Sequence, residues 1–328
     1  MRLTTGFSIP IRRPRIIWVV GDGTEAGKST VAMALIRLLN RNGVRTIPMK
    51  PYSASQLTLL PDRLAIRDPA KTAPEVGGDA MRLSRTSPLT DGYFDLVAPI
   101  SFVCHPTFRT TVAARSGSLL LGNMVYYRPE PAWPQPEPEI VADAIGKLGV
   151  PLASARPWPG LNFRDAPRLD QAAVLAAYRW LLRLEPHTMV IEGAGAFLPA
   201  FDGMPTIDHV VHVQRPAVTV YAGLGARLRF EPGRQLIPAA PFVDRLEARG
   251  YRPTPFCLPP VAEAELAGMA DGVARDILAV FDRAEGLRGR LERLRPLRRR
   301  HRGQTTAAGA TAAAPTAGPS GAADGLPP

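Results

Sequence analysis

Residues Gly21 to Thr30 read GDGTEAGKST, a string suited to holding the phosphates of a nucleotide. Glycine lets the backbone approach phosphate oxygens, and the free N–H groups of a helix that starts there point at the anion. Lys28 is placed to reach the β- and γ-phosphates and the Ser29 hydroxyl to ligate Mg²⁺. The strict pattern has glycine where this chain has Asp22, with Gly21 and Gly23 on either side, so the loop is a variant. The chain holds 40 lysines and arginines, of which only Lys28, Lys50, Lys71 and Lys147 are lysine. Arginine does not replace a compact ammonium where one small donor must touch a phosphate. Two of the four lysines sit where such chemistry wants them. Glu192 is the third group of interest, a carboxylate after an apolar run and before Gly-Ala-Gly, where a cation is its natural partner.

These residues need elements to hold them. Ile16 to Val20 is an apolar run that predicts a buried strand before the loop. Val31, Ala34, Leu35, Leu38 and Leu39 follow at helical spacing, with Gly43 as the stop. A second strand over Arg45 to Met49 delivers Lys50. Gly77 to Leu83 reads as a turn opening a short helix that carries Asp79. The Val97 to Val103 run is apolar. Leu169 to Leu184 reads as helix, Thr188 to Ile191 as the strand before Glu192, and Val210 to Val213 as another strand. Phe242 to Arg249 reads as helix, and Thr254 to Leu258 as a last strand. Alternation of this kind predicts an α/β fold with a mainly parallel sheet and helices on both faces, and the resemblance of GDGTEAGKST to a phosphate-binding loop makes the expected type a P-loop NTPase. In such sheets ligands bind at the carboxyl ends of the strands, where the loop, Lys50 and Glu192 would converge.

The expected organisation is an extension over residues 1–14, one domain over 15–282 and a tail over 283–328. Nine prolines between Tyr127 and Arg168 mark an insertion or lid within the domain. The net charge is +11, and the nine arginines and two glutamates between Arg283 and Arg302 supply +7 of it. That stretch could touch nucleic acid or anionic lipid. It carries no aromatic residue for base stacking, and a solvated helix is the simpler reading. The Ala/Gly/Pro/Thr-rich sequence after it cannot bury a core and reads as disordered. No apolar run reaches the roughly 18–20 residues of a membrane span, and the N-terminus lacks a secretory h-region, so a cytoplasmic address is expected. Cys104 and Cys257 are too few for a disulfide framework and read as packed thiols.

Four separated blocks resemble dethiobiotin synthetase, and more distantly the cobyric and cobyrinic acid amide synthases. They are Thr24-Glu25-Ala26-Gly27-Lys28-Ser29, Lys50-Pro51, Asp79 in Gly-Gly-Asp-Ala, and Glu192-Gly193-Ala194-Gly195. The chain departs from the family at Gly23 and Ala54, and near Cys257 it lacks the Asn-Asp pair that would read adenine. The resemblance implies a Mg²⁺- and ATP-dependent ligase or cyclase that phosphorylates a carbamate or carboxylate, with the biotin precursor diamine or a related amine and CO₂ or bicarbonate as substrates. It implies catalytic roles for Thr24, Lys28 and Lys50, and nucleotide binding by Glu25, Ala26, Gly27, Lys28, Ser29, Thr30, Gly193 and Ala194. It implies Mg²⁺ on Ser29, Asp79 and Glu192, and a homodimer.

Two other functions compete. One is an amide ligase of the cobyric acid type without a glutaminase domain, since neither cysteine lies in a nucleophile elbow. The other is a partitioning or positioning ATPase whose basic tail binds DNA or membrane. Gly23-Thr24-Glu25 stands where that class has its extra loop lysine, which counts against it.

Overall fold

In the computed structural model the described residues are 13–24, 26–56, 78–104, 111–118, 122–127, 155–158, 161, 163–165, 171–204, 206–225, 236–258 and 263–302. Glu25, most of the proline-rich segment, most of the N-terminal extension and the chain beyond 302 lie outside them. The chain divides into two units, Met1–Ala284 and Glu285–Pro328.

The first unit is built on a six-stranded sheet. Its strands are β1 (Arg15–Gly21), β2 (Thr46–Met49), β8 (Thr188–Glu192), β9 (His209–Gln214), β10 (Ala217–Tyr221) and β11 (Thr254–Cys257), in the order β11-β10-β9-β1-β8-β2. β9, β1, β8 and β2 run parallel, while β10 pairs antiparallel with both β9 and β11. β1 is central because Ile16 to Val20 are apolar on both faces, the pattern of a strand covered on each side.

Alternation along β1 divides the core. Ile17 and Val19 face one apolar layer with Val31, Leu35 and Leu39 of α1 (Lys28–Arg41). The same layer takes Ala274, Ile277 and Phe281 of α6 (Glu263–Arg302). Ile16, Trp18 and Val20 face the other, with Val174, Tyr178 and Leu181 of α4 (Gln171–Leu182) and Phe242 and Leu246 of α5 (Ala239–Ala248). Helices therefore cover both faces of this sheet. Asn40 fixes the end of α1, donating to the Thr46 carbonyl at 3.0 Å and accepting from the Thr46 N–H at 2.8 Å, so the helix hands the chain directly to β2.

A second sheet corrects the expectation of one mainly parallel sheet. β3 (Tyr52–Gln56), β4 (Ile100–Cys104), β5 (Thr111–Ser118), β6 (Gly122–Tyr127) and β7 (Arg156–Pro157) lie in that order. β3 pairs parallel with β4, and β5 pairs antiparallel with β4 and β6. β3 begins two residues after Lys50, so the chain leaves one sheet and enters the other across Lys50-Pro51. Between these sheets' strands the chain forms α2 (Gly78–Thr86) and α3 (Phe94–Val97).

One of the two thiols also differs from expectation. Cys104 is partly buried, and burial pushes its thiol up to about 11. Cys257 is exposed, because β11 is an edge strand whose burial alternates and Cys257 falls on the open side. Among the described residues no helix is long and apolar enough to cross a membrane.

Candidate active site

The loop between β1 and α1 is shaped by two close approaches. A Cβ on Gly21 would lie 2.5 Å from the Val213 carbonyl oxygen, so only glycine lets β1 pass β9 there. Gly27 caps α1 with φ 88°, a left-handed conformation that favours glycine, and a Cβ would meet the Arg215 Nε at 2.9 Å. Among the described residues no side chain caps α1 and no acidic residue stands in its first turn. Its leading N–H groups are thus left for an anion.

Asp22, the residue out of pattern, is turned towards β9. Its Oδ1 lies 2.6 Å from His212 Nε2, and the Gln214 amide donates to its other oxygen. Burial pushes the Asp22 carboxyl up, but the hydrogen bonds from Gln214 and His212 and the charges nearby outweigh this and hold it below the usual range. Asp22 fastens the loop to the neighbouring strand.

On the other side of the loop, two groups donate to Glu192. Ser29 Oγ donates to Glu192 Oε1 at 2.8 Å, and Lys50 Nζ donates to the same oxygen at 2.7 Å. Lys50 also reaches Asp79 Oδ2 at 3.4 Å, and Asp79 Oδ1 takes Arg82 Nη2 at 2.7 Å. Lys28 Nζ is folded onto the Gly23 carbonyl of its own loop. Lys28, Lys50 and Glu192 are 5%, 5% and 1% exposed, so these charges act on one another with little screening by water.

The two lysines respond differently to burial. For Lys50 burial pushes the ammonium down, yet the carboxylates of Glu192 and Asp79 outweigh it and hold Lys50 above its ordinary value. Among the described residues Lys28 has no carboxylate in hydrogen-bond contact. Burial prevails over the more distant Glu192, Lys50 adds repulsion, and the ammonium drops to about 8. Lys28 is consequently a buried cation short of negative charge, which an incoming polyphosphate would supply.

The donor set also fits a small hard cation. Glu192 Oε2 is buried with no hydrogen-bond partner among the described residues, an oxygen in need of a cation or donor. With the Ser29 hydroxyl it offers the oxygen ligands that suit Mg²⁺. Among the described residues no three His, Cys, Asp or Glu side chains form a metal cluster. A Mg²⁺ ion here would take its remaining ligands from phosphate and water, as this ion commonly does.

Lys28, Ser29, Lys50, Asp79 and Glu192 are therefore brought together. Asp79 stands against Lys50 and Arg82. Thr24 is exposed at the loop's tip, Ala26, Gly27 and Thr30 are half-buried, and Glu25 falls outside the described residues. Gly193 and Ala194 are buried in the turn after β8, and a Cβ on Gly193 would lie 2.2 Å from the Phe197 carbonyl oxygen. His212, Gln214 and Arg215 were not legible as loop partners. Asp22 in a glycine's place was the one signal pointing to them. Comparison with known proteins finds no family model and no curated protein that matches the chain.

Proposed function

We propose that this protein is a P-loop ATPase of the ligase or cyclase kind, which uses Mg²⁺ and ATP to phosphorylate a carbamate or carboxylate. The observation that carries the reading is the shared Glu192 oxygen. It joins the first turn of α1, through Ser29, to the buried amine of Lys50 at the end of the next strand. The N-terminus of α1, a carboxylate with a spare oxygen and an ammonium thus meet at one rim of the sheet, which supports phosphate binding there.

Phosphoryl transfer is mostly positioning plus charge neutralisation. The first-turn N–H groups of α1 and Lys28 bind the β- and γ-phosphates, and Lys28 gains the counter-charge it lacks. Mg²⁺, held by Ser29 and Glu192, would neutralise phosphate charge. Lys50 orients the acceptor's carboxylate or carbamate oxygen against the γ-phosphorus and offsets the charge that gathers as ADP leaves. A second amine on the acceptor then attacks the activated carbonyl carbon, and inorganic phosphate departs with the electron pair of the C–O bond and takes up the amine's proton. Lys50 cannot be the base for that step while its proton is held by two carboxylates.

The reading extends to CO₂ or bicarbonate as the carbon source, a diamine as acceptor and a homodimer as the working form. The test is ADP release in the presence of ¹⁴C-bicarbonate and a panel of diamines. Amine-dependent ADP release with label retained in the product is expected. ADP release that no amine or carboxylate stimulates would end the ligase reading.

A further inference from the structure

Arg215 stands in the two-residue turn between β9 and β10, and among the described residues its guanidinium has no hydrogen bond or ion pair. The turn itself is well held. Gln214 and Ala217 pair directly across it, and the Leu258 N–H donates to the Pro216 carbonyl at 2.6 Å. From this base the exposed side chain reaches over the end of the phosphate loop. The Cβ that Gly27 lacks would lie 2.9 Å from Arg215 Nε, 3.3 Å from Nη2 and 3.4 Å from Cζ. Both nitrogens are nearer than the carbon that joins them, so the guanidinium turns its Nε–Nη2 edge to the loop. That edge carries the parallel N–H groups that grip a phosphate bidentately.

The neighbouring residue of the same turn holds the other end of the loop. Gln214 donates to Asp22, whose remaining oxygen faces His212, so the acid of the described loop residues is already taken. Arg215 is left with an idle fork beside the uncapped N-terminus of α1. The sheet order decides which part of a nucleotide it meets. Lys50 and Glu192 end β2 and β8 on one side of β1, while Arg215 follows β9 on the other. β8 and β9 stand two strand spacings apart, about 9–10 Å. A polyphosphate with its γ-phosphate towards Lys50 has its other phosphates nearer the β9 side.

We propose that Arg215 is a second phosphate grip, its fork closing on the diphosphate part of the nucleotide that leaves as ADP, while Lys50 serves the transferring end. The ligand class is a nucleoside di- or triphosphate, with the contact made to phosphate and not to the base. This rests on the phosphate-binding part of the reading above, and binding is measured with no acceptor and no turnover.

The probes are ADP and inorganic pyrophosphate, titrated calorimetrically with Mg²⁺ into the full chain as wild type, Arg215→Met and Arg215→Lys. Both ligands should bind Arg215→Met at least about tenfold more weakly than wild type, and by the same factor, as expected for a lost charge-assisted contact. Arg215→Lys should recover part of the loss, since an ammonium keeps the charge without the fork. It carries the test if Arg215→Met fails to give a wild-type circular dichroism melt. At saturating ADP the bound ³¹P resonances should differ between wild type and Arg215→Met, a change that mere steadying of the loop would not produce. Equal affinities, a loss seen with only one of the two ligands, full recovery in Arg215→Lys, or unaltered ³¹P resonances overturns the proposal. Wild-type protein that binds neither ligand sinks the phosphate-site reading along with it. Weakened binding in Arg215→Met, in a protein whose ADP release no amine or carboxylate stimulates, would end the ligase reading and leave the grip standing.

Discussion

Lys50 Nζ lies 2.7 Å from Glu192 Oε1, an ion pair between the ends of β2 and β8 with both side chains nearly out of solvent. Removing one partner of such a pair strands the other as an uncompensated buried charge. Lys50→Ala should destabilise the fold by about 3–5 kcal/mol. In protein still folded by circular dichroism, substrate-stimulated ADP release should fall by about two orders of magnitude, in line with the loss of one pre-organised charge. Wild-type turnover in folded Lys50→Ala would remove Lys50 from the mechanism.

Glu192→Gln keeps the shape and one hydrogen-bond acceptor but removes the charge. The expected outcome is a steep loss of Mg²⁺ dependence, seen as a Mg²⁺ titration of ADP release that no longer saturates in the wild-type range. Lys50 should survive the change better than Glu192 survives Lys50→Ala, because Asp79 remains as its partner. A wild-type Mg²⁺ curve in this variant would show that Glu192 holds no metal.

Lys28 gives the clearest pH effect. Its folded value, about 8, is lower than the 10.5 of the free side chain, so the unfolded chain binds more protons between these values. The sign follows: Lys28 costs stability below pH 8, and that cost is relieved as pH rises from 8 towards 10.5. Urea melts of wild type and Lys28→Met should show wild type gaining on the variant across that window, by on the order of 3 kcal/mol at most. Lys50 behaves oppositely, its contribution being present below 10.5 and lost only above its raised value. A wild-type minus variant difference that stays flat from pH 7.5 to 10.5 would contradict the burial argument. Saturating ATP should flatten it, because bound phosphate restores the proton to Lys28.

Much of this arrangement could be read from the chain, for physical reasons. β1 and α1 are unmistakable because a doubly buried strand and a one-sided helix leave different periodicities around the glycines. Lys50 and Glu192 were legible because each comes at the end of a short run that reads as a strand. The second sheet was not. β4 falls in the apolar Val97 to Val103 run, which carries no mark of a separate sheet, and β5 reads TVAARSGS, in which Thr111, Arg115 and Ser116 are nonetheless buried. Arg115 on such a strand looks like a surface residue until its neighbours are in place. Contacts such as Asp22 with His212, 190 positions apart, leave no local trace.

Asp22→Gly would restore the strict glycine pattern of the loop and remove its ties to His212 and Gln214. If fastening matters more than pattern, the nucleotide should bind several-fold more weakly, because the loop must be ordered on binding. Fluorescent ATP-analogue titration measures this directly. Tighter binding would mean that Asp22 repels phosphate more than it steadies the loop.

Gly193→Ala tests the turn after β8. Its Cβ would be forced to within 2.2 Å of the Phe197 carbonyl oxygen, so backbone must shift. A loss of about 1–3 kcal/mol in a urea melt is expected, together with a fall in ADP release as Glu192 next door is displaced. An unaltered melt would mean that the turn yields freely.

Only Lys50 and Pro51 separate the last strand of one sheet from the first strand of the other. No linker intervenes to absorb motion. A tilt of the five-stranded platform must therefore swing the Lys50 amine as a fulcrum swings its beam, and the carboxylates of Glu192 and Asp79 that grip the amine would feel the turn.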